Sequence, residues 1–375
     1  MIYALLYSLH DLPGLSWLNV LRYTSFRAIM SALTAMVVSF LVAPWFIQKL
    51  RGKQISQIIR EENPESHKRK KGTPTMGGAL ILLSVLVPTM LWADVKNVFV
   101  LATAMVTAGY GAVGFLDDRM KIQAISSRGL PGRYKLVGQF LIGGIAIAYL
   151  FLSTSELPAP WLEIRSRLAI PFLAFYKHPI ELPLLLYAFV ALVFVVFMSN
   201  AVNLTDGLDG LAIGPVIVNA ATYSLWAYVA GSVLFGRPLA AYLDVAGFPE
   251  MAELSVYGAA MIGAGIGFLW YNTYPAQVFM GDVGSLALGG GLGMMAVITK
   301  TELLSVILGG VFMTEAASVI TQVISFKLFK KRVFLMAPIH HHFEKKGWPE
   351  PRIIVRFWII TVLLSLVALS SLKLR

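Results

Sequence analysis

Apolar residues run along the chain in ten long stretches, near 24–48, 75–93, 97–116, 135–153, 182–199, 210–232, 254–271, 284–299, 303–327 and 352–372. Short polar segments separate them. A helix needs about 20 mostly apolar residues to cross the hydrocarbon layer of a bilayer, and each stretch is close to that length. The pattern therefore predicts about ten transmembrane helices in a single polytopic domain over 1–375. The first stretch is too long and too far from the start to be a cleaved signal peptide. Small residues inside the stretches, such as Gly258, Ala259, Ala260 and Gly267, suit close packing of helices in lipid. The segment 154–181, with its prolines and charges, reads as an ordered loop or short hairpin outside the membrane.

Composition supports this class. Hydrophobic residues make up 57% of the 375 positions, charged residues only 14%, and mean hydropathy is +0.72. Soluble globular proteins carry roughly 25% charged residues, so this chain lacks the charge to cover a soluble globule. The same numbers exclude disorder. There are no cysteines, which excludes disulfides, iron–sulfur clusters and thiolate zinc sites.

The net charge of +11 changes the picture through its placement. Ten spans put both termini on one side and the segments 49–74, 117–134, 200–209, 272–283 and 328–351 on the other. Those segments and their edges hold twenty Lys and Arg, against ten on the opposite face. Cytoplasmic loops are the basic ones. The expectation is an all-α integral membrane protein with both termini outside and these loops in the cytoplasm, its positive charge facing membrane lipid rather than nucleic acid.

The same loops carry the unusual chemistry. Five of the eight aspartates lie in them or at their edges: Asp117, Asp118, Asp206, Asp209 and Asp282. Asp117 and Asp118 close an apolar span, where the helix dipole disfavours two anions, and their hard oxygens beside a phosphate suit Mg²⁺. The run from Asn200 to Gly210 holds Asn200, Asn203, Asp206 and Asp209 among Asp-Gly turns. Its spacing is not that of an EF-hand. Asp282 lies between glycines at the start of a span, where helix N–H groups attract anions. His340, His341 and His342 are consecutive, so they point apart and do not suit one metal ion; phosphate or sugar contact and proton handling fit better. The fifth group, His67 to Gly78, includes Lys70 and Thr75. Within it Thr73 and Pro74 read as the N-cap and first residue of the second span.

In this order, Lys70–Gly78, Phe115–Asp118, Asn200–Gly210, Phe279–Ser285 and Pro338–Glu344 resemble the polyprenyl-phosphate N-acetylhexosamine-1-phosphate transferases, most closely the phospho-N-acetylmuramoyl-pentapeptide transferase branch. The resemblance covers nearly the whole chain. It implies a Mg²⁺-dependent enzyme of the bacterial cytoplasmic membrane, often a homodimer. Such an enzyme moves phospho-N-acetylmuramoyl-pentapeptide from UDP to undecaprenyl phosphate, giving lipid I and UMP, and takes part in cell-wall synthesis. It further implies catalytic roles for Asp117, Asp118, Asp282 and His340, with Asp282 as leading Mg²⁺ ligand and Asp117 and Asp118 as base or metal support. Lys70, Lys121 and Lys135 would hold phosphates, and Thr75 and Asn200 would also bind substrate. Asn203, Asp206, Leu208, Asp209 and Phe279 would meet the nucleotide, and His341 and His342 the sugar side. The alternatives are a sister enzyme transferring N-acetylglucosamine-1-phosphate to the same lipid, and a transporter. Carboxylates at helix ends rather than at the bilayer midplane disfavour the transporter.

Overall fold

Apolar stretches of this length become helices because lipid offers no partner for a free N–H or C=O, so each segment must satisfy its own backbone. The computed structural model describes residues 2–52, 72–123, 129–155, 157–234 and 236–374. Ten long helices follow the predicted stretches: α1 (Thr24–Gly52), α2 (Gly78–Trp92), α3 (Val98–Gln123), α4 (Gly132–Leu152), α5 (Leu184–Thr205), α6 (Ile213–Gly231), α7 (Leu254–Asn272), α8 (Gly281–Ile298), α9 (Gly310–Phe329) and α10 (Glu350–Ser370). Among the described residues, all but α2 are long and apolar enough to cross a membrane alone.

α2 has 15 residues, about 22 Å of helix, less than the roughly 30 Å of hydrocarbon. The residues before it, 73–77, are not helical. They are held by main-chain bonds to the approach of α8: Phe279 N–H to Pro74 O, Gly77 N–H to Phe279 O and Gly78 N–H to Met280 O, each 2.8 Å. Non-helical backbone is tolerated there because protein partners satisfy it. This corrects the expectation for Thr73 and Pro74. They do not cap α2, which begins only at Gly78; Pro74 instead uses its carbonyl in the bridge to Phe279.

Three further boundaries differ from the sequence pattern. α3 continues through Asp117, Asp118 and Lys121 to Gln123, and α5 continues through Asn200 and Asn203 to Thr205. The stretch 303–327 is broken into a short turn of helix, Ser305–Leu308, and α9, with Gly309 between them. Polar side chains end an apolar run but not a helix when partners on neighbouring helices receive them.

α8 lies at the centre, buried against α3 and α5, while α7 packs on α1 and α6. The glycines of α7 pack as expected: a Cβ on Gly263 would lie 2.0 Å from the Ala32 carbonyl oxygen of α1.

At the C-terminal end of α8 the segment 154–181 forms the expected hairpin, Arg167–Leu168 pairing antiparallel with Ile180–Glu181 after a short helix, Ala159–Ile164. Lys300 fastens it. Its buried ammonium donates to Arg165 O (2.9 Å) and Tyr187 Oη (2.6 Å), and lies 3.8 Å from the Tyr187 ring centroid. The Tyr187 hydroxyl in turn donates to Glu302.

Candidate active site

At the opposite end of α8 its first turn meets the last turns of α3. Asp117 and Asp118 are buried, 1% and 4% exposed. Carboxylates near a helix C-terminus are unfavourable on their own, and the structure shows what offsets them. Leu130 N–H donates to Asp117 Oδ1 at 2.8 Å, and Val283 N–H, in the first turn of α8, donates to Asp118 Oδ2 at 3.2 Å. Lys121, one turn further along α3, puts its ammonium 2.5 Å from Asp117 Oδ2, 3.1 Å from Asp282 Oδ2 and 3.7 Å from Asp118 Oδ1. Lys135, in the first turn of α4, lies 2.6 Å from Asp282 Oδ2 and 3.5 Å from Asp117 Oδ1. A lysine there opposes the dipole of its own helix, and the two carboxylates compensate it.

Asp282 is held on its other oxygen by Asn203 of α5, whose Nδ2 donates to Oδ1 at 2.9 Å. The same amide reaches Ser285 Oγ at 2.8 Å. Close approach of backbones makes this possible. A Cβ on Gly114 would lie 2.2 Å from the Asp282 carbonyl oxygen. Gly281 has φ +71°, a conformation L side chains rarely adopt, and a Cβ there would come 2.5 Å from Asp118 Oδ2 and 3.1 Å from Thr75 Oγ1. Thr75 thus stands at the edge of the carboxylates.

Oxygens of Asp117, Asp118 and Asp282 lie within 4.8 Å of one another, and they are the one such group of three metal-ligating side chains among the described residues. Hard carboxylate oxygens converging at the end of a membrane helix fit Mg²⁺. The Lys121 ammonium among all three shows that the place demands positive charge.

The Asn200–Gly210 segment, expected from sequence to meet the nucleotide, forms the end of α5 and the turn after it. Asp206 follows α5 directly. Burial and the neighbouring Asp282, Asp118 and Asp209 carboxylates push its carboxyl up to about 8, with the Gly281 N–H pulling the other way. Asp209 is buried, accepting from Ala276 N–H at 2.9 Å, while its own N–H donates to Glu350 Oε1 at 3.1 Å. The Leu208 side chain is buried beside Leu211 and Ile353, and its carbonyl accepts from Leu211 N–H. These residues shape and brace the turn. Phe279 is partly exposed, its main chain bonded to Pro74 and Gly77. Asn200, expected from sequence among the substrate-binding residues, donates its Nδ2 to Gln139 Oε1 and Val196 O.

The three histidines take separate partners. His340 is buried, its Nδ1 3.1 Å from Glu315 Oε2 of α9 and its Nε2 turned onto Gly207. His341 Nδ1 lies 2.6 Å from Glu344 Oε2, and His342 Nδ1 accepts from Leu335 N–H. Lys70 lies outside the described residues. Sequence reasoning missed Glu315, Glu350 and Gln139, isolated polar residues at helix positions with no motif around them, and gave no role to Ser285 inside the Phe279–Ser285 motif.

The model of glycosyl transferase family 4 matches residues 100–300. The phospho-N-acetylmuramoyl-pentapeptide-transferase of Sorangium cellulosum (strain So ce56) is 68% identical over 376 residues, covering the whole of both chains. Those of Anaeromyxobacter sp. (strain K) and Citrifermentans bemidjiense are 54% and 52% identical, again over the whole of both. The chain belongs to the phospho-N-acetylmuramoyl-pentapeptide-transferase family. The glycosyl transferase match contains Asp117, Asp118, Lys121, Lys135, Asn203 and Asp282, and the full-length likeness to this transferase family takes in Thr75 and the His340–His342 turn as well.

Proposed function

We infer that the chain transfers phospho-N-acetylmuramoyl-pentapeptide from UDP to undecaprenyl phosphate, giving lipid I and UMP. The observation that carries this reading is identity of up to 68% along the entire chain to relatives bearing that name. The carboxylate and lysine cluster supplies the chemistry. Both reactants are anionic, and their repulsion must be offset before bonds exchange. Lys121 and Lys135 bring two ammonium groups to one point, where they can hold phosphate oxygens. Asp117, Asp118 and Asp282 would hold Mg²⁺, which neutralises phosphate charge and orients the oxygens when bound.

An acceptor phosphate oxygen forms a bond to the sugar-bearing phosphorus, and the phosphorus–oxygen bond to UMP breaks with its electron pair on UMP. The second pKa of a phosphate monoester is about 6, so the acceptor is largely ionised at neutral pH and needs no proton removed. Asp117 then positions rather than deprotonates. The transfer is direct; a sugar-phosphate adduct on an aspartate, trapped by mass spectrometry, would overturn that step. The 206–210 turn and Phe279 frame the uridine, and the His340–His342 turn frames the sugar side.

The excess of basic residues beside the carboxylate end supports a cytoplasm-facing site in the bacterial inner membrane, with both termini outside. Family likeness extends the reading to a homodimer. Purified protein with undecaprenyl phosphate, Mg²⁺ and either UDP-N-acetylmuramoyl-pentapeptide or UDP-N-acetylglucosamine tests the assignment. UMP release is expected from the first nucleotide, and release from only the second would refute it.

A further inference from the structure

One helical turn beneath the cluster, a second polar group joins the same four helices. Gln139 of α4 is completely buried. Its Nε2 donates to Ser199 Oγ of α5 at 2.9 Å, its Oε1 accepts from Asn200 Nδ2 of α5 at 2.9 Å, and its main-chain carbonyl accepts from the Tyr110 hydroxyl of α3 at 3.0 Å. Ser199 passes the connection on by donating to Leu286 O of α8 at 2.8 Å. Among Gln139, Ser199 and Asn200, no buried side-chain atom is left without a partner.

The spacing ties this group to the site. Gln139 is four residues beyond Lys135, Ser199 four before Asn203, and Leu286 four beyond Asp282, while Tyr110 is seven before Asp117. At 3.6 residues per turn, each member lies on the same helix face as its catalytic counterpart, one turn deeper, or two for Tyr110. A slip of any of the four helices along its axis would break a bond here and separate the charges above. Hydrogen bonds between membrane helices also serve as general glue. Here the bonds run through one residue, Gln139, and its partner Ser199, beneath the groups that must converge.

We propose that Gln139 is a positioning residue for the transferase, fixing the depth of Lys135, Asn203 and Asp282 relative to Asp117, and that Asn200 acts through it rather than on substrate. The proposal rests on the transferase reading. Misplacement by about 1 Å can cost on the order of 10²-fold in rate. A group that merely holds the fold together would lower thermal stability and the active fraction without changing turnover per folded molecule. A substrate contact would raise KM.

The test uses purified full-length protein in lipid nanodiscs, scoring UMP release per folded molecule with undecaprenyl phosphate, UDP-N-acetylmuramoyl-pentapeptide and Mg²⁺. Gln139→Leu is expected to lower kcat about tenfold to hundredfold, with KM for both substrates within about threefold of the parent. Adding Asn200→Leu should cost less than about twofold more, because the two act as one unit. Ser199→Ala, a smaller change that serves if Gln139→Leu does not fold, should lower kcat in the same way. Unchanged kcat in the folded variants, an effect confined to KM, or losses that multiply would overturn the proposal. A parent protein that releases no UMP would refute the transferase reading itself, and the proposal with it.

Discussion

Asp117 is the residue whose surroundings say most about how the reaction runs. It is buried and pairs with Lys121 and Lys135, and Leu130 N–H fixes one of its oxygens. A general base contributes about 10²–10⁴-fold, but only while the acceptor still carries its proton, below a pH of about 6. The rate loss in Asp117→Asn is therefore expected to be the same at about pH 6.5 and about pH 8.5, as measured by kcat profiles. A loss that fades as pH rises would assign proton removal to Asp117 instead. Lys135→Met should lower kcat/KM by about 10²-fold or more, because Asp282 and Asp117 are left with one ammonium between them in a low-dielectric site. A change under about threefold in steady-state assays would contradict that. At this scale the sequence was informative wherever chemistry came as a motif: Asp117-Asp118, Asp282 between glycines, and the Asn203–Asp206 segment do meet. Glu315 and Gln139 were not legible, because a single polar residue in an apolar run gives no sign of a partner 25 or 61 residues away.

Among the elements, the close contact of α3 and α8 decides whether the carboxylates can meet. A side chain at Gly114 would strike the Asp282 carbonyl, so Gly114→Ala must push the two helices apart. Its expected effect is a loss of about 10²-fold in turnover, far more than the helix propensity of alanine could compensate; near-normal turnover would show that the contact can relax. The clasp at the far end of α8 makes a separate prediction. Burial pulls the Lys300 ammonium down to about 8 from 10.5. Between those values the unfolded chain keeps a proton that the folded chain has lost, so this residue makes stability rise with pH across that window. Burial raises Glu302 and acts in the opposite sense in a window starting at 4.5. Thermal unfolding of Lys300→Met should lack the rise between about pH 8 and 10.5 that the parent shows; an identical profile would remove Lys300 as its source. The sequence located these helices by their apolar runs. It placed the ends of α3 and α5 too early, because Asp117, Asn200 and Asn203 look like loop residues until their partners on other helices are known.

Across the whole molecule, the cluster of Asp117, Asp118, Asp282, Lys121 and Lys135 stands at one end of α8 and the Lys300 clasp at the other. In the proposed orientation ten crossings would return the chain to the side from which it started, with the basic segments facing the cytoplasm. A reporter active only outside the cytoplasm, fused after Arg375, should therefore be active; silence would reverse the orientation. The central claim is that Asp117, Asp118 and Asp282, with Lys121 and Lys135, form the centre of phosphosugar transfer to a lipid phosphate. Its most direct test is UMP release from UDP-N-acetylmuramoyl-pentapeptide by purified protein with undecaprenyl phosphate and Mg²⁺, beside the same assay on Asp282→Asn. Release by the parent and a loss of at least about 10³-fold in the variant is the expected result. Comparable release by Asp282→Asn, with both proteins folded, would contradict it.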